Sequence, residues 1–377
     1  MNFEDNSLLL AGVGGAGCRI AAAARRSFGA GLRAVGFDSD ALEARAIEDL
    51  RCAVLGASRL DGRGTGGDRV NGRLAVQDDA ERVREALSGA RTAVVVCGLG
   101  GGFSNGGTPE VLRIAREAGV ATLCFATLPF AFEGAERRAE ANRAAAILEE
   151  HADALCLLPL DDLFESAPGG AGLPLPEAIR RATDILSSAL VLFWRLLFTP
   201  GFVRFDADDL LTILRQGGGR FRFAVSQADN SPDRARNAVK ALVQSPLLGG
   251  AKALGNAQAL VLGILGGEDL RLRELSTVTD AVTAACQPGC PLRMGTVLDD
   301  RFDGSIQLVA LAFEKWGAAG TGDDAAFSLS GHGKASGAPM AARRAGRSNL
   351  FQIDPAILNG ENLDEPTFLR RGITLPR

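Results

Sequence analysis

Short apolar runs alternate with helical patterning through the first half of the chain. Ser7–Val13, Leu32–Phe37, Cys52–Leu55, Ala93–Cys97, Ala121–Leu128 and Ala154–Leu158 each read as a strand. Ala93-Val-Val-Val-Cys97 is apolar throughout, the pattern of a strand covered on both faces. The stretches between them predict helices over Arg19–Phe28 and Asp78–Leu87, another opening at Pro109, and a long alanine-rich one running to about Glu150. Proline suits a first helical position because its missing N–H would have had no partner there. Such alternation predicts an α/β fold built on a parallel, Rossmann-like sheet.

The second half has a different rhythm. Glu177–Phe198 is apolar nearly all round, as a buried helix is, and its mid-chain position predicts a central rod between two domains. Strands over Arg222–Gln227, Leu260–Leu265, Pro291–Leu298 and Ser305–Phe313 follow, with helices over Leu210–Gln216, Arg234–Gln244 and Glu268–Ala285, predicting a second α/β domain with a mixed sheet. Beyond Glu314 large apolar residues thin out into Gly, Ala, Ser and Arg, a disordered linker ending in a less random tail. The expected divisions are 1–176, 177–200 for the central helix, 201–314, 315–348 for the linker and 349–377 for the tail.

Glycine marks the candidate chemistry. Gly12-Val-Gly14-Gly15-Ala16-Gly17 follows the first strand, and six glycines lie between Gly98 and Gly107 after the fourth. Backbone N–H groups left bare by glycine, facing a helix N-terminus, form an anion site; a flexible turn is the plain alternative. A third loop, Gly62–Asp68, follows the third strand. The first loop alone fits a dinucleotide fold, with Asp38-Ser-Asp40 where the ribose-binding acid belongs. Three loops around one ligand fit a nucleoside triphosphate better than a pyrophosphate bridge. Glu133 and Arg137 stand four apart beyond the fifth strand, either a solvated salt bridge or part of the site. Asp206 and Asp209 open a predicted helix, either as caps or as catalytic acids.

Composition narrows this picture. With 377 residues, 46% hydrophobic and 23% charged, the chain reads as a soluble globular protein. A net charge of −4 without a basic face argues against nucleic acid as a partner. Ile185–Phe198 is too short to span a membrane and carries Arg195, so no direct membrane insertion is expected. The seven cysteines read as buried thiols of a reducing cytosol, and Cys286 with Cys290 lacks the second pair that zinc needs, so no metal site is assigned.

Taken together the motifs resemble the tubulin/FtsZ family from about Ser7 to Glu314, and again in the tail. Gly12–Gly17, Asp38-Ser-Asp40, Gly98-Leu-Gly-Gly-Gly102 and Pro129-Phe-Ala-Phe-Glu133-Gly resemble its nucleotide-binding segments. Ser245-Pro-Leu-Leu248, Gly266-Gly-Glu-Asp-Leu270 and Gly295-Thr-Val297 resemble segments of its second domain. The resemblance implies a GTP-binding protein of bacterial division that polymerises with itself head to tail and hydrolyses GTP at the subunit interface. The implied GTP-binding residues are Gly14, Gly15, Ala16, Gly17, Gly100, Gly101, Gly102, Ser104, Gly106, Glu133, Arg137 and Thr183. Asp206 and Asp209 would be the catalytic acids, and GTP or GDP the ligand, with Mg2+ the candidate accompanying ion. Leu363–Arg371 resembles the family's peptide for membrane-tethering division proteins, which implies a cytoplasmic protein at the mid-cell division site. Phe103-Ser104-Asn105 departs from the family's threonine-bearing signature, and Arg19, Thr183 and Arg204 replace its usual residues. Phe103 must either pack beneath its loop or crowd the phosphates; the surrounding glycines favour the first. The departures also imply an alternative, a non-hydrolysing scaffold or regulator that binds nucleotide weakly.

Overall fold

A computed structural model of the protein describes residues 7–29, 31–165, 173–199, 201–215, 219–314, 357–358 and 361–362. Its strands are β1 (Leu8–Val13), β2 (Ala34–Asp38), β3 (Cys52–Val54), β4 (Thr92–Gly98), β5 (Ala121–Leu128), β6 (Ala154–Pro159), β7 (Gly219–Asp229), β8 (Ala259–Gly266), β9 (Leu292–Leu298) and β10 (Ser305–Phe313). The helices are α1 (Gly14–Phe28), α2 (Ala41–Ala46), α3 (Ala57–Leu60), α4 (Arg69–Asp78), α5 (Ala80–Leu87), α6 (Gly102–Glu117), α7 (Ala135–His151), α8 (Asp162–Glu165), α9 (Leu175–Phe198), α10 (Ala207–Arg215), α11 (Arg234–Val243), α12 (Gly250–Asn256) and α13 (Leu272–Ala285).

One ten-stranded sheet runs in the order β3-β2-β1-β4-β5-β6-β7-β10-β8-β9. The strands from β3 to β6 are parallel, and β7 joins them in parallel through Ala154 opposite Gly219 and Leu155 opposite Arg220. β10 is antiparallel to β7 and β8, and β9 is parallel to β8. The mixed sheet expected of the second half is therefore continuous with the parallel sheet of the first. Ile357–Leu358 and Glu361–Asn362 form a separate short antiparallel pair. The remainder of the expected linker and tail lies outside the described residues.

Strand alternation divides the core of the first half into two layers. Leu8, Leu10, Val94 and Val96 pack with α1, α9 and α10, whereas Leu9, Ala11, Val13, Val95 and Cys97 pack with α6 and α7. A third cluster lies under α11 and α13 in the second half. Helix α9 buries most of its residues from Ala182 onward, with Asp184 and Ser188 exposed, whereas its first turns, with Leu175 and Ile179, are exposed. Among the described residues no helix is long and apolar enough to cross a membrane.

The glycine-rich segments correct the sequence reading. Pro109 does not open a helix; α6 begins at Gly102 and Pro109 sits two turns inside it. Likewise α1 begins at Gly14 rather than Arg19, and α4 precedes the helix expected at Asp78. The reason is contact between helices. A Cβ on Gly106 would lie 1.8 Å from the Arg69 carbonyl oxygen, and one on Gly72 would lie 2.4 Å from that of Gly102. These glycines let the backbones of α4 and α6 touch, and that packing outweighs glycine's helix penalty of about 1 kcal/mol each.

Alanine ordinarily stabilises a helix relative to glycine, but Gly106→Ala should reverse that sign. Forcing α4 away from α6 should cost about 1–3 kcal/mol. A Cβ on Gly101, by contrast, would meet nothing within 4 Å. Urea unfolding of Gly106→Ala beside Gly101→Ala checks this: the first should lose stability and the second should stay near the parent.

Candidate functional site

The chain leaves β1 toward β2 on one side, while β4 leads to β5 on the other, so strand order reverses between β1 and β4. In open parallel sheets the crevice at such a point, beyond the carboxyl ends of the strands, is where ligands bind. Here α1 and α6 begin side by side at that crevice. Neither has a side-chain cap or an acidic residue in its first turn, so their orphan N–H groups and positive dipole ends remain available.

The glycines bring the loops together. A Cβ on Gly14, whose φ is +73°, would lie 2.1 Å from Ser104 Oγ, which donates to the Val13 carbonyl at 3.4 Å. Gly98 abuts Ala16, and Gly102 abuts Gly67 and Thr65 of the third loop. Gly17 packs on the Val96 carbonyl, which seats α1 on β4. Gly100, at φ +104°, lies against the Arg137 side chain. Arg137 Nε pairs with Glu133 Oε2 at 3.0 Å, and Glu133 Oε1 accepts from the Phe130 N–H at 2.9 Å. Gly15 faces the exposed ion pair between Arg19 and Glu43. Gly14, Gly15, Ala16, Gly17, Gly100, Gly101, Gly102, Ser104, Glu133 and Arg137 thus gather around one crevice.

Two predicted residues have other contacts. Gly106 sits a turn deeper, against the backbone of α4. Thr183, on α9, gives its hydroxyl to the Ile179 carbonyl. Phe103 is buried in the cluster that holds Ala75, Val76 and Val111, so it packs beneath the loop. Asn105 was not foreseen as a contributor: its Oδ1 accepts from the Gly100 N–H at 2.9 Å, which occupies a donor of the second loop. The acids after β2 are also engaged. Asp40 Oδ1 caps α2 through Leu42 and Glu43, and Asp38 Oδ1 accepts from the Ser39 and Asp40 amides. Burial raises the Asp38 carboxyl above its ordinary range.

Asp206 and Asp209 lie at the other end of the sheet. Asp208, between them, pairs with Arg91, which immediately precedes β4. The crevice lies past the far end of β4, about 20 Å away by the rise of a seven-residue strand. Asp206 Oδ1 accepts from the Asp208 and Asp209 amides, and Asp209 Oδ2 accepts from the Asp206 amide. Both acids therefore cap α10, while Asp206 Oδ2 also pairs with Arg204 at 3.0 Å.

A family model described as the GTPase domain of the Tubulin/FtsZ family matches residues 7–168, and one described as the C-terminal domain of the FtsZ family matches 223–314. The chain belongs to the tubulin/FtsZ family. FtsZ from M. jannaschii, solved as an empty dimer, is 26% identical with a TM-score of 0.75, covering 81% of this chain and 88% of that one. CetZ2 from Haloferax volcanii, solved as a GTPγS-bound protofilament, is 25% identical with a TM-score of 0.68, covering 81% and 92%. CetZ from Methanosaeta thermophila, at 20% identity and a TM-score of 0.65 over 82% and 87%, shares the fold.

Within this tubulin/FtsZ protein the residues present fit the phosphates of a nucleotide, and the family's GTPase domain implies GTP or GDP. Two uncapped helix ends and positive-φ glycines form a phosphate cradle at the switch point, and membership of the family's GTPase domain supersedes the dinucleotide alternative. Sequence reasoning could find these loops from their glycines; it had no signal for the hydrogen bond of Asn105 or for the packing of Gly106.

Because Phe103 supports the core, Phe103→Ala should cost about 3–5 kcal/mol of stability. Denaturant unfolding measures that loss. Titration of the folded variant should leave GTP affinity within twofold of the parent, whereas markedly tighter binding would place the ring among the phosphates.

Proposed function

We propose that this protein is a GTP-binding cytoskeletal protein of bacterial cell division, which polymerises head to tail into the filaments of a division ring. In this reading it works in the cytoplasm at mid-cell and hydrolyses GTP where two subunits meet. One observation carries the proposal: the glycine cradle and the acidic pair lie at opposite ends of the strands of one sheet. A head-to-tail contact brings one subunit's acids to the next subunit's cradle, and a contact of that kind extends without closing.

The chain's own groups then divide the work. N–H groups at the starts of α1 and α6 hold phosphate oxygens, and Arg137, steered by Glu133, adds positive charge beside Gly100. Asp209 is the better placed of the two acids, since Asp206 uses both of its oxygens on the α10 amides and Arg204. Asp209 from the neighbouring subunit would orient the water that attacks the terminal phosphate, displacing GDP. Positioning and electrostatics of this kind supply most of the catalysis in phosphoryl transfer. Mg2+, when bound, would neutralise charge between the phosphates. The FtsZ dimer and the CetZ2 protofilament support self-association as a habit of similar proteins.

A second reading, a weakly binding scaffold that does not turn GTP over, is favoured by the bond from the Gly100 N–H to Asn105. Single-turnover hydrolysis at high protein concentration separates the two readings.

Asp209→Ala should leave GTP affinity unchanged and lower turnover by about 100-fold or more. It should also cost about 1 kcal/mol of stability through the lost cap. Lost binding in the folded variant, measured by nucleotide titration, would assign Asp209 to structure alone. In the proposed cell-division role the tail recruits a membrane-tethering partner. Deleting residues 361–377 should therefore preserve assembly, followed by light scattering, while abolishing localisation to the division site.

A further inference from the structure

Two thiols meet directly behind the first phosphate loop. Cys18 follows Gly17 in α1 and is fully buried, with its S–H directed at the Gly12 carbonyl (3.4 Å) and the Phe37 carbonyl (3.6 Å). Cys52 lies on β3, the edge strand of the sheet, and is half-buried. Both pack into the same core layer, Cys18 from α1 and Cys52 from the sheet, and Gly36 lets them approach. Its Cβ position would lie 2.5 Å from Cys52 Sγ and 2.9 Å from Cys18 Sγ, so the space that any other residue would fill is the space between the sulfurs. Both thiols are free.

We propose that Cys18 and Cys52 form a reversible disulfide when the protein meets hydrogen peroxide, and that this bond weakens nucleotide binding by displacing the first phosphate loop. The second part rests on the reading of the crevice as a GTP site. The geometry assigns the order of events. Cys52, at the sheet edge, is the sulfur that peroxide reaches, and Cys18, buried behind it, resolves the product. The electrostatics agree: the neighbouring Cys18 thiol holds the Cys52 thiol below its ordinary value. The nearby Cys52 thiol, with burial, holds Cys18 well above its own. A thiol with more thiolate character and better access is oxidised first.

In the first step the Cys52 sulfur attacks one peroxide oxygen. An S–O bond forms, the O–O bond breaks, and the departing hydroxide takes the thiol proton to leave as water. In the second step the Cys18 sulfur attacks the Cys52 sulfur. An S–S bond forms, the S–O bond breaks, and the hydroxyl leaves with the Cys18 proton as a second water. Two thiols lose two electrons and one peroxide gains them. The bond removes the S–H that now spans Gly12 and Phe37, and it draws the start of α1 toward β3. The amides of that turn are those placed to face the phosphates.

The test uses the full chain, treated with hydrogen peroxide, alkylated and mapped by mass spectrometry without reduction. A peptide pair joining residues 18 and 52, released by dithiothreitol, is expected. Amide exchange across 12–19 should change, and GTP affinity should fall at least tenfold and recover on reduction. Cys52→Ser should bind GTP as the reduced parent does and show no response to peroxide, while Cys286→Ser/Cys290→Ser should respond like the parent. Peroxide that leaves Cys18 and Cys52 unlinked would overturn the proposal, as would a linked protein with unchanged amide exchange and GTP affinity. If the reduced parent fails to bind GTP, the GTP reading of the crevice falls, and the peptide map with the exchange data still decides this one.

Discussion

Reversal of strand order between β1 and β4 is the constraint on which the rest depends. It sets two helix N-termini against one crevice, and both are left without caps or acids of their own. An arrangement with so many unpaired donors is costly in isolation and is stabilised by an anion. Small residues are required wherever the loops meet: Gly14 against Ser104, Gly98 against Ala16, Gly102 against Gly67. The close approach of α4 and α6 extends the same requirement into helices, which is why glycine continues past the loop to Gly107.

The acidic pair follows a different logic. Asp206 and Asp209 satisfy the first turn of α10 reciprocally, so their positions are fixed by the needs of a helix end. That rigidity also suits a group that must meet a partner's site in a set geometry. The continuous sheet joins the two ends: β6 pairs with β7, and α9 packs its buried half against both the α1 layer and the second half. Arg195, buried on α9, pairs with Asp299 beyond β9 and lies over the Phe28 ring at the end of α1. The cradle's helix and the second half are thus tied through a single side chain.

Much of this was legible in the sequence. Alternation of apolar runs with helical stretches gave all ten strands of the large sheet, and the gathered residues of the crevice were marked by glycine and by the Glu133–Arg137 spacing. What could not be read was where glycine serves a loop and where it serves a helix contact, since both demand the absence of a side chain. Pro109 illustrates the difficulty: its preference for a helix start is local, whereas the start of α6 at Gly102 is set by packing on α4. Asn105 and Cys52 act on groups brought near them by folding, and no local pattern announces such partners.

The central claim is that each whole site is shared by two subunits. Mixing two deficient proteins tests it most directly: Asp209→Ala, with an intact cradle, and Gly14→Ala, whose new Cβ would clash with Ser104. Each alone should be inactive in GTP hydrolysis, and the mixture should recover turnover, because one supplies the cradle and the other the acid. A mixture that coassembles yet stays as inactive as its parts would contradict the account.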